Sequence, residues 1–153
     1  NVASVKQPVS STTSPNPSSP ANNLTTADSP EEAVSFQWPT RGNVLAGFDE
    51  VKNKGLDIAG KAGDPVLAAA DGKVVYAGSG LRGYGNLVII KHNNTYLTAY
   101  AHNQSLLVKE DQAIKRGQKI AEMGSSDADQ VKLHFEIRRQ GKPVDPAKYL
   151  PSN

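Results

Sequence analysis

Asp57, His102 and His134 carry the chemistry of metal ligands, yet they lie far apart in a chain of 153 residues. Side chains alternate across a strand, so residues two apart share a face. In Lys132-Leu133-His134-Phe135-Glu136-Ile137, Leu133, Phe135 and Ile137 make one apolar face, and Lys132, His134 and Glu136 line the other. The same rule groups Tyr96, Thr98, Tyr100 and His102 on one face, with Leu97, Ala99 and Ala101 opposite. Asp57 opposes the apolar pair Leu56 and Ile58. Two histidines and a carboxylate on polar strand faces have the types of a metal site. They are equally the hydrogen-bonded polar residues of a half-exposed sheet, and spacing leaves both readings open.

The elements that must position these residues read as β structure. Val74-Val75-Tyr76, Leu87-Val88-Ile89-Ile90 and Tyr96 to Tyr100 are short β-branched and aromatic runs, punctuated by Gly and Asn. Residues 87–92 and 95–102 are expected to form a hairpin through Asn93-Asn94, because Asn tolerates the positive φ of a tight turn. No stretch longer than two turns has a 3.6-residue period. Asp145-Pro146-Ala147-Lys148-Tyr149-Leu150 reads as one helical turn, capped by Asp with Pro at its first position. The expected class is all-β.

Composition divides the chain. Residues 1–35 hold eight Ser, four Thr, four Asn and five of the ten Pro, with no Gly and no aromatic residue. Such a segment cannot bury enough apolar surface to offset its ordering entropy, so 1–35 is expected to be a disordered Ser/Pro/Thr-rich linker. Residues 36–153 form the expected domain. The net charge of +2, with no Lys/Arg block, argues against a nucleic-acid binder. No apolar run exceeds five residues, Val66 to Ala70, which excludes a spanning helix. No signal peptide is recognisable, so the expectation is a chain either not exported or trimmed upstream. The absence of Cys excludes disulfides, thiolate zinc sites and thiol nucleophiles.

Several segments resemble the LytM/lysostaphin family of zinc peptidoglycan endopeptidases. They are Asn53-Lys54-Gly55-Leu56-Asp57-Ile58-Ala59, Ala70-Asp71-Gly72-Lys73-Val74, Gly83-Tyr84-Gly85-Asn86, Lys115-Arg116-Gly117-Gln118-Lys119-Ile120-Ala121 and Leu133-His134-Phe135-Glu136. Their order and spacing match from Trp38 to Leu150. The resemblance implies a compact antiparallel domain of duplicated hybrid motifs with a groove across its sheet. It places Asp57 and His134 at metal-ligand positions and His102 at an assisting position.

Two positions depart from that pattern. Asn53 stands where a ligand His is expected, and Lys132 where a catalytic His is expected. An amide oxygen is a poor substitute for imidazole at zinc, and an ammonium beside His134 repels a dication and cannot act as a base. The expectation is a domain with no catalytic residues, no metal and no cofactor.

Among family members this pattern resembles the degenerate LytM factors of Gram-negative bacteria. These are outer-membrane lipoproteins that activate a periplasmic N-acetylmuramoyl-L-alanine amidase (AmiC-like) at the division septum, with peptidoglycan as a possible second partner. The resemblance implies a lipid anchor upstream of this chain. A zinc endopeptidase with atypical ligands and a plain peptidoglycan-binding module are the alternatives. The expected partner-binding groove is lined by Asn53, Asp57, Arg82, Tyr84, His102, Lys132 and His134. Lys54 adds to its basic character.

Overall fold

The computed structural model describes residues 33–151. The linker expected over 1–35 therefore lies outside the described residues up to residue 32. Val34, near its expected end, is partly buried against the core.

The described chain is built from short antiparallel strands: β1 (Val44–Ala46), β2 (Leu56–Ala59), β3 (Pro65–Leu67), β4 (Gly72–Gly78), β5 (Asn86–Lys91), β6 (Tyr96–Leu106), β7 (Ala113–Ile114), β8 (Lys119–Met123), β9 (Lys132–Arg139) and β10 (Lys142–Val144). Their order across the sheet is β1-β2-β9-β6-β5-β4-β7; β10 pairs with β9, β8 with β6, and β3 with β8. A 3-10 turn at Pro146–Lys148 follows, with the Asp145 side chain accepting from the Ala147 N–H as the sequence suggested.

The β5–β6 hairpin forms where expected, but its turn is held differently. Among the described residues neither Asn93 nor Asn94 has a positive φ. Instead the Asn93 side-chain oxygen accepts from the backbone N–H groups of Thr95 and Tyr96, both at 2.9 Å. A side chain standing in for a backbone acceptor is the other way Asn stabilises turns.

The central strands decide which side chains enter the core. On β9, Leu133, Phe135 and Ile137 are fully buried, as alternation predicts. Phe135 pairs with Leu56 on β2 and with Tyr100 on β6, and paired residues of adjacent strands share a face. Tyr96, Thr98 and Tyr100 consequently face the core, not the polar side as expected from the sequence. Tyr100 is fully buried, its ring centroid 5.4 Å from that of Phe135.

Tyrosine can sit there because its body is apolar and only its hydroxyl needs a partner. That hydroxyl accepts from Ala69 N–H at 2.9 Å and bonds Thr98 Oγ1 at 2.6 Å. Thr98 Oγ1 in turn meets His92 Nε2 at 2.8 Å, and His92 Nδ1 meets the Asp71 carbonyl at 2.6 Å. The carbonyl can only accept, so Nδ1 carries the proton and Nε2 accepts from Thr98. Burial first of all lowers the His92 pKa, which favours this neutral tautomer.

The outward face of β6 therefore carries Leu97, Ala99 and Ala101. Ala99 lies between Ile89 on β5 and Glu136 on β9, and Ala101 lies opposite His134. Small residues on the middle strand, flanked by larger ones, leave a trough along the sheet.

Candidate functional site in the sheet trough

Asp57 reaches the trough because Leu56 and Ile58 are drawn into the core on either side of it. The β2–β9 register sets it directly opposite His134. His134 Nδ1 donates to Asp57 Oδ1 at 2.7 Å, and Lys132 Nζ donates to Asp57 Oδ2 at 3.1 Å. The other ring nitrogen, His134 Nε2, donates to Glu136 Oε2 at 2.7 Å. Glu136 Oε1 takes Nε and one terminal nitrogen of Arg138, both at 2.8 Å. Tyr84 O–H is the third residue to bond Glu136, at 3.0 Å on Oε2.

The result is a row of alternating charge across the trough floor: Lys132, Asp57, His134, Glu136, Arg138. Burial alone would lower the His134 pKa, but bonds to Asp57 and Glu136 overcome it and push it to about 9. The ring is an imidazolium at neutral pH, with both nitrogens donating. Burial would raise the carboxyls of Asp57 and Glu136, yet their bonds to His134, Lys132 and Arg138 outweigh it and hold both low. Glu136 is only 1% exposed, so these partners are what make a charge tolerable there.

His102 comes to the same place by a break in the strand. Its φ is +69°, where β6 stops pairing with β9 and begins pairing with β8. Alternation fails at such a residue, so His102 turns away from the Tyr100 side, its ring centroid 6.1 Å from His134. Its Nδ1 lies 2.8 Å from the Ser126 carbonyl, so Nδ1 holds the proton and Nε2 presents a lone pair. Burial lowers the His102 pKa, which keeps the ring neutral.

Asn53 is tied into a turn. It exchanges two backbone bonds with Asp49, and its Nδ2 donates to the Gly47 carbonyl at 2.9 Å. The chain then passes close to β9 at Gly55, where a Cβ would strike the Phe135 carbonyl. That close approach, available only to glycine, brings Asn53 and Asp57 to a common cavity.

The cavity has a volume of about 300 Å³ and is walled by Asn53, Asp57, Tyr84, His102, Lys132 and His134, with Lys52, Lys54, Gly83 and Glu136. Of the seven sequence-nominated residues only Arg82 is outside the wall; it is exposed on the loop before Gly83. Glu136 was visible by alternation on β9 but not nominated. Arg138 and Lys52 were missed as well; Arg138 continues the β9 alternation, whereas Lys52 depends on the turn at Asn53.

A second cavity of about 280 Å³ adjoins the first, sharing Tyr84 and Glu136, and is lined by Leu81, Leu87, Ile89, Leu97 and Ala99. No sequence pattern pointed to it.

The sequence model of peptidase family M23 matches residues 51–146. This chain belongs to that family. It is 65% identical over 118 residues to a lipoprotein NlpD/LppB homolog of Pseudomonas aeruginosa, covering 76% of this chain and 40% of that protein. It is 54% identical over 151 residues to the murein hydrolase activator NlpD of Salmonella dublin, covering 97% and 38%. The chain thus spans about two-fifths of the length of these relatives.

Among solved structures, a zinc-containing peptidase from Vibrio cholerae superposes with a TM-score of 0.71 at 34% identity, over 76% of this chain and 41% of that one. The catalytic domain of lysostaphin from Staphylococcus simulans gives 0.62 at 28% identity, over 71% and 86%. Both support the all-β, antiparallel fold.

The family's relation to a zinc peptidase raises the question whether these residues suit zinc. They do not. A catalytic zinc needs about three protein ligands and one open position. Here the Lys132 ammonium takes one oxygen of Asp57 and His134 Nδ1 takes the other, His134 Nε2 is bonded to Glu136, and Asn53, which has no imidazole, donates its Nδ2 to the Gly47 carbonyl. No group of three His, Cys, Asp or Glu side chains able to hold a metal occurs among the described residues.

Proposed function

We propose that this domain is a non-catalytic activator of a periplasmic N-acetylmuramoyl-L-alanine amidase, acting in the splitting of septal peptidoglycan during cell division. The observation that carries the reading is the Lys132–Asp57–His134 lock, with Nζ 3.1 Å and Nδ1 2.7 Å from the two carboxylate oxygens. It sets two positive charges where a metal would sit and leaves the lone pair of neutral His102 without a Lewis acid to work beside. A trough that retains its walls without its chemistry is suited to binding.

The names of the relatives, murein hydrolase activator and lipoprotein, support an activator held at the outer membrane, facing the periplasm. The trough, with Asn53, Asp57, Tyr84, His102, Lys132 and His134 in its wall and Arg82 beside it, is the surface offered to the amidase. Peptidoglycan is the second candidate partner.

The test is dye release from labelled cell-wall sacculi with the domain alone, the amidase alone, and both together. The expected result is no release by the domain and a clear gain over the amidase alone. Chelator-sensitive release by the domain alone would instead indicate a zinc endopeptidase with atypical ligands. Co-sedimentation with sacculi without any effect on the amidase would indicate a peptidoglycan-binding module.

A further inference from the structure

A separate cavity of about 400 Å³ lies outside the trough and shares no wall residue with its two cavities. Strand alternation builds one side of it. In β3, Val66 is drawn fully into the core, so Pro65 and Leu67 turn the other way and line the hollow. Leu67 N–H donates to the Pro39 carbonyl at 2.9 Å, which brings Thr40 and Arg41 alongside. The opposite wall is held by Asp64. Its Oδ2 accepts from Lys61 N–H at 2.8 Å, and its carbonyl accepts from Met123 N–H at 2.8 Å. The volume lies within the ~300–1,000 Å³ range of small-molecule sites, toward its lower end.

The wall is rich in donors. Thr40 is only 9% exposed and lines the cavity, yet among the described residues its hydroxyl has no hydrogen-bond partner. Buried polar groups are nearly always paired, and an exception calls for a reason. Arg41 and Lys61 line the same cavity, exposed at its rim, and among the described residues neither side chain has a hydrogen bond or ion pair. Asp64 is the carboxylate in this wall, with Oδ2 committed to Lys61 N–H and Oδ1 left to accept from a ligand. Two cations against one carboxylate leave a single positive charge. That suits a monoanion, and the guanidinium fork matches a carboxylate in shape.

We propose that this cavity captures the C-terminal residue of a peptide. The carboxylate lies across the Thr40 hydroxyl, Arg41 and Lys61; the ligand's last backbone N–H donates to Asp64 Oδ1; a small aliphatic side chain rests on Pro65 and Leu67. Capture of a terminal carboxylate is a recurring mode of peptide recognition. The site is independent of the trough and of the activator reading. Its ligand chemistry is common to protein C-termini, which carry L-residues, and to bacterial stem peptides, which end in D-residues.

The test is NMR titration of the nitrogen-15-labelled chain with N-acetyl-L-alanyl-L-alanine, its D,D isomer, the C-terminal amide of each, and phosphatidylglycerol vesicles. At least one acid should produce saturable amide shifts confined to the 40–42 and 60–67 segments, and its amide should not. Arg41→Gln and Lys61→Gln should each weaken binding about tenfold, and Thr40→Val severalfold. Unchanged spectra away from the site confirm folding. If Thr40→Val fails to fold, the two exposed positions carry the test.

Binding of the L,L acid alone supports the proposal with a protein C-terminus as source, and binding of the D,D acid alone supports it with a stem peptide; binding of both supports the shared chemistry. The proposal is overturned if neither acid shifts these segments, if an amide binds as well as its acid, or if Arg41→Gln or Lys61→Gln keeps wild-type affinity. Shifts there with the vesicles and with neither acid also overturn it, in favour of a lipid headgroup.

Discussion

Replacing His134 by Gln removes the one imidazole held between two carboxylates, and its effect on stability should depend strongly on pH. In the folded protein the ring titrates at about 9, whereas an unfolded histidine titrates near ~6.5. A folded-state value above the unfolded one means that the proton stabilises the fold. That stability is fully present below pH ~6.5 and is lost as pH rises through about 9. The gap of roughly two to three units, at ~1.36 kcal/mol each, corresponds to about 3 kcal/mol. The site is well shielded, with the His134 side chain 13% exposed and Glu136 1%, so solvent screening takes little of it.

The assay is guanidinium unfolding of wild type and His134→Gln at pH ~6 and pH ~10, with wild-type imidazole nitrogen shifts followed by NMR across the same range. The stability difference between the two proteins should shrink by about 3 kcal/mol over that interval. Parallel stabilities, or an NMR midpoint for His134 near ~6.5, would refute the assignment of a charged ring to the trough floor.

Other perturbations follow from the same contacts. Asn53→His with Lys132→His removes the ammonium from Asp57 and supplies two imidazoles, and should raise zinc affinity on the order of 100-fold by calorimetry; hydrolysis need not return with it. Tyr100→Phe strips the hydroxyl that satisfies Ala69 N–H in the core and should cost about 1–3 kcal/mol in chemical unfolding. At Gly85, φ is +64° and a Cβ would strike the Ser126 carbonyl. Gly85→Ala should therefore raise hydrogen exchange in the 83–86 and 125–128 loops well before it lowers the melting temperature. Because Asp57 and Glu136 are held low by their cations, stability present above pH ~4 should fall as acid titrates them, and Glu136→Gln should flatten that limb of an acid-unfolding curve.

Local pattern determined much of this protein. Leu133, Phe135 and Ile137 could share a face only as a strand, and the same alternation put Lys132, His134 and Glu136 together. The departures at Asn53 and Lys132 were legible because they are changes of residue type: one removes an imidazole, the other adds a charge.

What alternation could not decide is which face of β6 is inside. Tyr96, Thr98 and Tyr100 are as hydroxyl-rich as a solvent face, and Leu97, Ala99 and Ala101 as apolar as a core face. The choice was made by register with Phe135 and Leu56 and by the partners that Ala69 and His92 supply to the buried hydroxyls. His102 reached the site only through a positive φ, which arises where one strand changes partners. The apolar cavity has no local signature at all. Its walls come from the loop at Leu81 and from strands β5 and β6, with β9 alongside, and a hollow exists only where assembled strands set a small residue between large ones.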